Sequence, residues 1–174
     1  MPELPEVETM VVGLRSHLLG RCLKNVRIID KKVLCATKPS ALKTIRGARV
    51  IGLSRVGKFL LFHLSHGSTI VFHLRMTGRL QVEENDVGRK LPRRLQMEFE
   101  NWDRRLSFID QRRFGYAALI REGETCPVDL LLELGPDALR ISRKELREIL
   151  GASTRPVKAL LLDQRAIAGL GNIY

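Results

Sequence analysis

Short apolar runs dominate the sequence between Arg21 and Ile120, and polar turn residues separate them. Runs rich in β-branched and aromatic residues are typical of strands, and the segments 65–67 and 101–103 have the composition of turns. Because the runs follow one another without long helical crossovers, the strands are expected to pair antiparallel, in a sandwich or a flattened barrel. The expected strands lie within 26–28, 50–53, 58–64, 69–74, 95–100, 105–109 and 116–120, with a short helix at 40–45.

A helix is expected before the strands. Apolar residues recur there at spacings of four, three and four positions, which places them on one face of a helix. Pro5 suits the first helical position, and Gly20 suits the left-handed conformation that follows many helices. The residues of the expected apolar face are Val7, Val11, Leu14 and Leu18.

The pattern becomes helical again after residue 127. Ser142 is followed three positions later by Glu145, which is the pattern of a capping box, so a helix is expected from there to Leu150. A second helix is expected from about 156 to 164. One face of this second helix would carry Val157, Leu160 and Leu161.

The composition indicates a polyanionic partner. The chain has 174 residues, of which 44% are hydrophobic, and its formal net charge is +11 with a pI near 10.2. Nucleic acid is the first candidate partner and an anionic membrane surface the second. No run has the length of a membrane span, and the charges of Glu3, Glu6 and Glu8 do not fit a signal peptide. A cytoplasmic protein without a membrane partner is therefore expected.

The cysteines do not suggest a bridge or a metal site. Cys22, Cys35 and Cys126 are odd in number and widely separated, and no two of them have a C-x-x-C spacing. Such cysteines are typical of reduced cytosolic thiols. Likewise, the four histidines show no spacing typical of metal ligands.

The amino terminus offers a nucleophile. If Met1 is trimmed, Pro2 carries a free secondary amine, and an α-amino group titrates near pH 8, against about 10.4 for a lysine. Such amines attack aldehyde-like carbons and form Schiff bases, and Glu3 lies next in the chain as a proton donor and acceptor. The structural alternative is a plain helix start, in which Glu6 and Glu8 complement the positive end of the helix dipole. Both interpretations can hold together.

Six motifs follow one another along the chain, at 2–9, 57–60, 73–78, 110–115, 134–136 and 161–174. Together they resemble formamidopyrimidine-DNA glycosylase, the bacterial base-excision enzyme for oxidised purines. Leu4 favours this branch over the related endonuclease VIII type, which usually has glycine there. The resemblance implies an α+β fold in which an N-terminal helix and an antiparallel β-sandwich form a catalytic domain over residues 2–126. It implies an incomplete helix-two-turn-helix segment over 127–174.

The resemblance also implies a reaction. The family flips a damaged nucleotide out of the duplex, because the sugar carbon cannot be reached within the stack. Pro2 would attack C1′ and displace the base, and strand cleavage by elimination would follow from the iminium. Glu3 would handle protons at the sugar ring, Glu6 would support the site, and Lys58 would hold a phosphate and assist elimination. For Lys58 the structural alternative is an ordinary basic residue at a strand start.

Two further groups of residues are implied to bind double-stranded DNA. Arg112 would face the orphaned base, Phe114 would wedge between base pairs and Met76 would fill the void, with Arg113 beside them. Taken singly, Met76 and Phe114 could instead be core residues. Lys158 and Asn172 would grip phosphates, although a Gly-x-Gly turn alone indicates only a helix-to-helix connection.

The chain departs from the family in two places. Members continue beyond the position of Tyr174 and add a four-cysteine zinc finger, so the zinc of the family is expected outside this chain and no cofactor within it. Members also usually carry a phosphate-contacting histidine where this chain has Pro92-Arg93-Arg94, whose arginines could equally be solvated basic surface. The rival function is a basic DNA-binding protein of the same fold that has lost turnover. A monomer is expected in either case.

Overall fold

The computed structural model describes residues 2–84, 91–126, 128, 131 and 133–174. Within them a helix comes first, α1 (Leu4–Leu18), and two short helices follow the strands, α2 (Arg143–Gly151) and α3 (Val157–Leu162). Two 3₁₀-helices lie between the first and second strands, at Lys31–Val33 and Pro39–Lys43. The strands are β1 (Leu23–Ile28), β2 (Val50–Val56), β3 (Phe59–Leu64), β4 (Thr69–His73), β5 (Arg79–Glu84), β6 (Arg93–Phe99), β7 (Arg104–Ile109) and β8 (Tyr116–Ile120).

The strands form two antiparallel sheets of four strands each. One sheet has the order β1-β6-β7-β5 and the other β2-β3-β4-β8. The prediction of an antiparallel sandwich with a leading helix is therefore confirmed. Every predicted strand is present, and of the strands in the described residues the sequence interpretation missed β5, a polar strand with Leu80 buried and Arg79 exposed. The boundary expected at residue 127 falls outside the described residues and stays a prediction.

The core lies between the two sheets and under α1. Phe72 on β4 packs with its ring centroid 5.2 Å from that of Phe62 and 5.6 Å from that of Phe108, which belongs to the other sheet. All three rings are fully buried. The predicted apolar face of α1 is buried in the same cluster, which confirms the helical spacing: Val7, Val11, Leu14 and Leu18.

The helix boundaries follow local chemistry. Helix α1 ends at Leu18, and Gly20 adopts a φ of +83°, a left-handed conformation that glycine tolerates without strain. The capping box of α2 is confirmed, since the Glu145 N–H donates to Ser142 Oγ at 3.2 Å and the Ser142 N–H donates to Glu145 Oε2 at 2.8 Å. The helix continues one residue past the expected Leu150.

Two expected helices differ from the prediction. The helix expected at 40–45 is a 3₁₀-helix that begins at Pro39, where the fixed φ of proline suits a helix start. Helix α3 ends two residues before Gln164, because residues 163–168 form a turn. Leu160 is buried, whereas Val157 is 59% exposed, so the expected common apolar face of α3 is wrong for Val157.

Among the described residues, no helix has the length and apolar character needed to cross a bilayer.

Replacing Phe72 by alanine is expected to lower the free energy of unfolding by about 3–5 kcal/mol, because the ring joins the two sheets and would leave a cavity. Urea denaturation followed by circular dichroism measures this change. Val12→Ala on the exposed face of α1 is the control, since Val12 is 56% exposed. A small change at Phe72, equal to that at Val12, would contradict the assignment of the core.

Candidate active site and nucleic-acid interface

The first residues of the chain lie against the glycine-rich turn near its other end. Glu3 is 1% exposed, and its carboxylate accepts the N–H groups of Ile173 at 2.8 Å and of Tyr174 at 3.2 Å. The Leu4 N–H donates to the Gly169 carbonyl at 3.1 Å. These bonds join residues about 170 positions apart in sequence. The start of α1 is thereby fixed in place.

Glu6 completes the start of α1. Its Oε2 accepts the N–H of Glu3 at 2.9 Å, and its Oε1 accepts the Tyr174 hydroxyl at 3.1 Å. The hydrogen bond from the Glu3 N–H is the main cause of a lowered pKa for Glu6, against a smaller opposing effect of desolvation. Glu6 is therefore held as a carboxylate. Pro2, directly before these residues, is partly exposed.

Lys58 is close enough to Glu3 for the two charges to interact. The tight turn between β2 and β3 contains Gly57, with φ +54°, and Lys58, which is 5% exposed. Burial lowers the pKa of Lys58, and the negative charge of Glu3 acts in the opposite direction. A buried lysine thus interacts electrostatically with the buried Glu3, which follows Pro2 in the chain.

His73 is a neighbour of Lys58 to which the sequence assigned no role. Burial lowers its pKa to about 3, helped by the charges of Arg75 and Lys58. Its Nδ1 accepts the Arg75 N–H at 3.1 Å, so the ring is neutral with its proton on Nε2. The ring stacks on Tyr116 with centroids 5.4 Å apart. Its only sequence signal was its place at the head of the 73–78 motif.

Arg55 ties the Lys58 turn to two other segments. Its side chain is 5% exposed and pairs with Glu8 on α1 at 2.8 Å and with Asp137 at 2.5 Å. The same guanidinium donates to the Gly57 carbonyl at 2.8 Å. Sequence reasoning missed Arg55 and Asp137, because two polar residues 82 positions apart give no local pattern.

The glycine-rich turn has its own clamp. Gln164 accepts the Gly169 N–H at 3.0 Å and donates to the Leu170 carbonyl at 2.8 Å, so one side chain holds both sides of the turn. This amide was quoted within a motif but was given no role. Lys158 on α3 and Asn172 in the turn line the same surface cavity.

The predicted insertion residues lie at the surface. Met76 is 43% exposed and Phe114 is 54% exposed, so the alternative that they are core residues is wrong. The Arg112 guanidinium carbon lies 4.9 Å from the centroid of the Phe114 ring, in a cation–π contact. A planar cation and an apolar wedge are thus presented side by side.

A buried carboxylate joins the two loops that carry these residues. Asp110 is fully buried and accepts the Thr77 hydroxyl at 2.5 Å, the Arg112 N–H at 3.2 Å and the Gly115 N–H at 2.7 Å. The Arg112 N–H also donates to Thr77 Oγ1 at 3.2 Å. The loop after β4 and the loop after β7 are therefore held as one unit.

The two arginines that begin β6 are not solvated surface, which corrects the sequence interpretation. Arg94 is 1% exposed and its Nε lies 2.8 Å from Asp30 Oδ2. Arg93 pairs with Glu83 at 2.9 Å. Arg113, expected to bind DNA, places its Nη2 2.9 Å from the same Asp30 oxygen, while 63% of its side chain stays exposed.

Thiols and carboxylates form no metal centre in the described part of the chain, where no group of three His, Cys, Asp or Glu side chains could hold an ion. Cys22, Cys35 and Cys126 are free and partly buried.

The fold and this site define a class of β-sandwich proteins in which the amino-terminal residues form one wall of a polar site. The sequence model of the formamidopyrimidine-DNA glycosylase N-terminal domain matches residues 1–117. The chain belongs to the formamidopyrimidine-DNA glycosylase family.

Curated relatives named formamidopyrimidine-DNA glycosylase match along the whole chain. The relative from Paracoccus denitrificans (strain Pd 1222) is 38% identical over 183 residues, and that from Moorella thermoacetica (strain ATCC 39073 / JCM 9320) is 41% identical over 179. Each comparison covers 100% of this chain and 64% of the relative. The chain thus spans less than two thirds of the length of these relatives.

Solved structures give the same likeness. The complex between the Lactococcus lactis Fpg and DNA containing an abasic site has a TM-score of 0.88 and 33% identity, over 99% of this chain and 64% of that chain. The complex between the wild-type Lactococcus lactis Fpg (MutM) and DNA containing N7-benzyl-Fapy-dG gives the same TM-score, identity and coverage.

The Arg55–Asp137 pair makes stability depend on pH. Burial raises the pKa of Asp137, but hydrogen bonds from Arg55 and from the Leu139 N–H, with the charge of Arg55, outweigh burial and lower it below 3.8. The stability that Asp137 contributes is therefore complete above that ordinary value and is lost as the pH falls through the lowered one. At pH 7, Asp137→Asn is expected to unfold at a lower urea concentration than the unchanged protein. Between about pH 4 and about pH 2, the variant is expected to lose less stability than the unchanged protein.

Urea midpoints measured across that pH range test this expectation. Asp103→Asn, at an exposed turn position, is the control for removing one negative charge. An unchanged acid profile in Asp137→Asn would mean that the pair does not hold the 137 segment against the Lys58 turn.

Proposed function

We propose that the protein is a base-excision DNA glycosylase and abasic-site lyase that removes oxidised purines through a Schiff base on Pro2. One observation carries this proposal: the partly exposed Pro2 adjoins a fully buried Glu3, whose charge acts on the buried Lys58. Family membership supports the same reaction class.

The reaction would begin at the sugar of an extruded nucleotide. The Pro2 amine would attack C1′ as the bond between C1′ and the base breaks, and the base would leave with the bonding electrons. The Glu3 carboxylate would take the proton that the Pro2 amine loses on forming the new bond, and would pass it to the ring oxygen as the sugar ring opens, which leaves a C1′ iminium. The departing base would take its proton from solvent. The resulting iminium would acidify the C2′ proton, so its removal would expel the 3′-phosphate and cleave the strand.

Preorganisation of Glu3 fits this role. The carboxylate is fixed by two backbone N–H groups and lies near a buried cation, so it does not have to be ordered during the reaction. Lys58 remains positively charged below its lowered pKa and would hold a phosphate next to the reacting sugar. Lys158 and Asn172, on one cavity, would hold a further phosphate.

The surface loops would fill the gap that nucleotide extrusion leaves. Unstacking costs a few kcal/mol per step, and insertion of an apolar wedge with a stacked cation offsets part of it. Phe114 and Arg112 have this arrangement, and Met76 lies on the adjoining loop. Arg113 would add positive charge near the DNA backbone, because most of its side chain is exposed.

The substrate class comes from the relatives. The Lactococcus lactis structures hold DNA with an abasic site or with N7-benzyl-Fapy-dG, and we carry DNA with such lesions over to this chain. The resemblance of the motifs adds 8-oxoguanine in double-stranded DNA to the proposed substrates. A monomer in the bacterial cytoplasm, bound to DNA through its net charge of +11, is the form we propose.

Borohydride trapping tests the Schiff base directly. The protein is expected to be captured on a duplex containing 8-oxoguanine and on one containing an abasic site, after intact mass has shown that Met1 is removed. Pro2→Gly should lower trapping far more than Arg112→Ala, since only Pro2 forms the bond. Capture of the abasic duplex alone would leave a lyase without base recognition. Absence of capture with either duplex would favour a protein that only binds DNA.

A substitution at Gly171 tests the role of Glu3 while residue 3 itself stays glutamate. A methyl group at Gly171 would collide with the Glu3 carboxylate and displace it, so Gly171→Ala is expected to slow trapping by about 100-fold, the usual scale of a proton-transfer contribution. Gly13→Ala is the matched control, because a methyl group there meets nothing within 4 Å. Equal trapping rates for the two variants would remove Glu3 from the chemistry.

A further inference from the structure

Arg94 is a buried arginine that the reaction does not use. It is 1% exposed, among the largest fully buried side chains, and a guanidinium is costly to remove from water. A register shift between Arg93 and Leu95 interrupts the pairing of β6 with β7, so Arg94 occupies an irregular position. Such bulges redirect a side chain, and here the redirected side chain points into the protein.

The partners of Arg94 come from two separate segments. Its Nε lies 2.8 Å from Asp30 Oδ2, and its Nη1 lies 3.7 Å from Asp110 Oδ2. Its carbonyl accepts the N–H groups of Ile29 and Asp30, both at 3.0 Å. One residue therefore links the segment after β1 to the segment after β7.

Asp30 and Asp110 both bind groups of the loop of residues 110–115, which we call the insertion loop. Asp110 accepts N–H groups at both ends of the loop, from Arg112 and Gly115. Asp30 holds the guanidinium of Arg113, whose φ of +61° is a left-handed conformation that non-glycine residues seldom adopt. The strained turn at Arg113 is thus braced from the Asp30 side and the Asp110 side, and Arg94 lies between the two.

We propose that Arg94 is a positioning residue that holds the insertion loop ready for DNA. It acts through Asp30 and Asp110, so that Arg112 and Phe114 are presented before DNA arrives and their ordering does not reduce affinity. This inference rests on the proposed function. It also explains why an arginine serves here: a planar guanidinium can address two carboxylates at once, whereas a lysine ammonium is a single point charge.

Arg94 is not a phosphate contact in this chain. Its guanidinium is buried, whereas DNA phosphates are met at the surface, and its nearest charged groups are the protein's own carboxylates. Its effect on DNA must therefore pass through the loop.

A double-mutant cycle separates positioning from general stability. Arg94→Met is expected to slow trapping on the 8-oxoguanine duplex by about ten-fold, as Arg112→Ala does, and the double variant is expected to lose no more than either single variant. Losses that multiply would overturn the proposal, because Arg94 would then act independently of the loop. Arg94→Lys is expected to trap DNA as slowly as Arg94→Met. Trapping by Arg94→Lys at the rate of the unchanged protein would also overturn the proposal. Arg15→Met is the control, since Arg15 donates only to the Leu53 carbonyl on the other sheet.

Hydrogen exchange provides a readout that needs no catalysis. In Arg94→Met, the amides of Arg112 and Gly115 are expected to exchange at least about ten-fold faster, with those of β3 unchanged. If Arg94→Met does not fold, Asp30→Asn applies the same test by removing one partner. Unchanged exchange at both amides would overturn the proposal. Faster exchange in a protein that traps no DNA would uphold the loop assignment while the proposed function fails.

Discussion

The hydrogen bonds of the buried Glu3 carboxylate are the constraint on which the site depends. An ionised carboxylate removed from water is costly unless donors and a cation compensate it. Here the donors are backbone N–H groups of Ile173 and Tyr174, and the nearby cation is Lys58. Satisfying one side chain therefore brings the amino terminus, the glycine-rich turn and the β2–β3 turn together. This arrangement requires glycine at position 171, because a larger side chain there would occupy the space of the Glu3 carboxylate.

The same principle organises the rest of the interface. Asp137 holds the segment before α2 against the Lys58 turn through Arg55, and Asp110 holds the two surface loops together. Each buried or half-buried carboxylate collects donors from segments that are remote in sequence. Polar networks of this kind are strong only when every member is satisfied, so they favour one arrangement of the loops over many. The sandwich thus carries loops whose conformation is fixed by ion pairs and hydrogen bonds to these carboxylates.

The sequence was sufficient for what local spacing controls. The apolar face of α1, the strands other than β5 and the capping box of α2 all follow from residues a few positions apart. The polar strand β5 was missed because its pairing with β7, and not its own apolarity, makes it a strand. Solvent exposure of Met76 and Phe114 was also undecided from sequence, because an apolar residue at a strand end fits a core equally well.

By itself, the sequence determined a β-rich, basic chain with the motifs of a known family, and it predicted an amine nucleophile at Pro2 with an adjacent acid, because composition and short-range periodicity depend on neighbouring residues. Only the tertiary structure decided which polar residues meet: Glu3 with Ile173, Arg55 with Asp137, and Arg94 with Asp30 and Asp110. Two of these contacts span 170 and 82 positions. The third involves Arg94, which lies at a register shift between β6 and β7. Such contacts follow from how the sheets pack, and no local pattern specifies them.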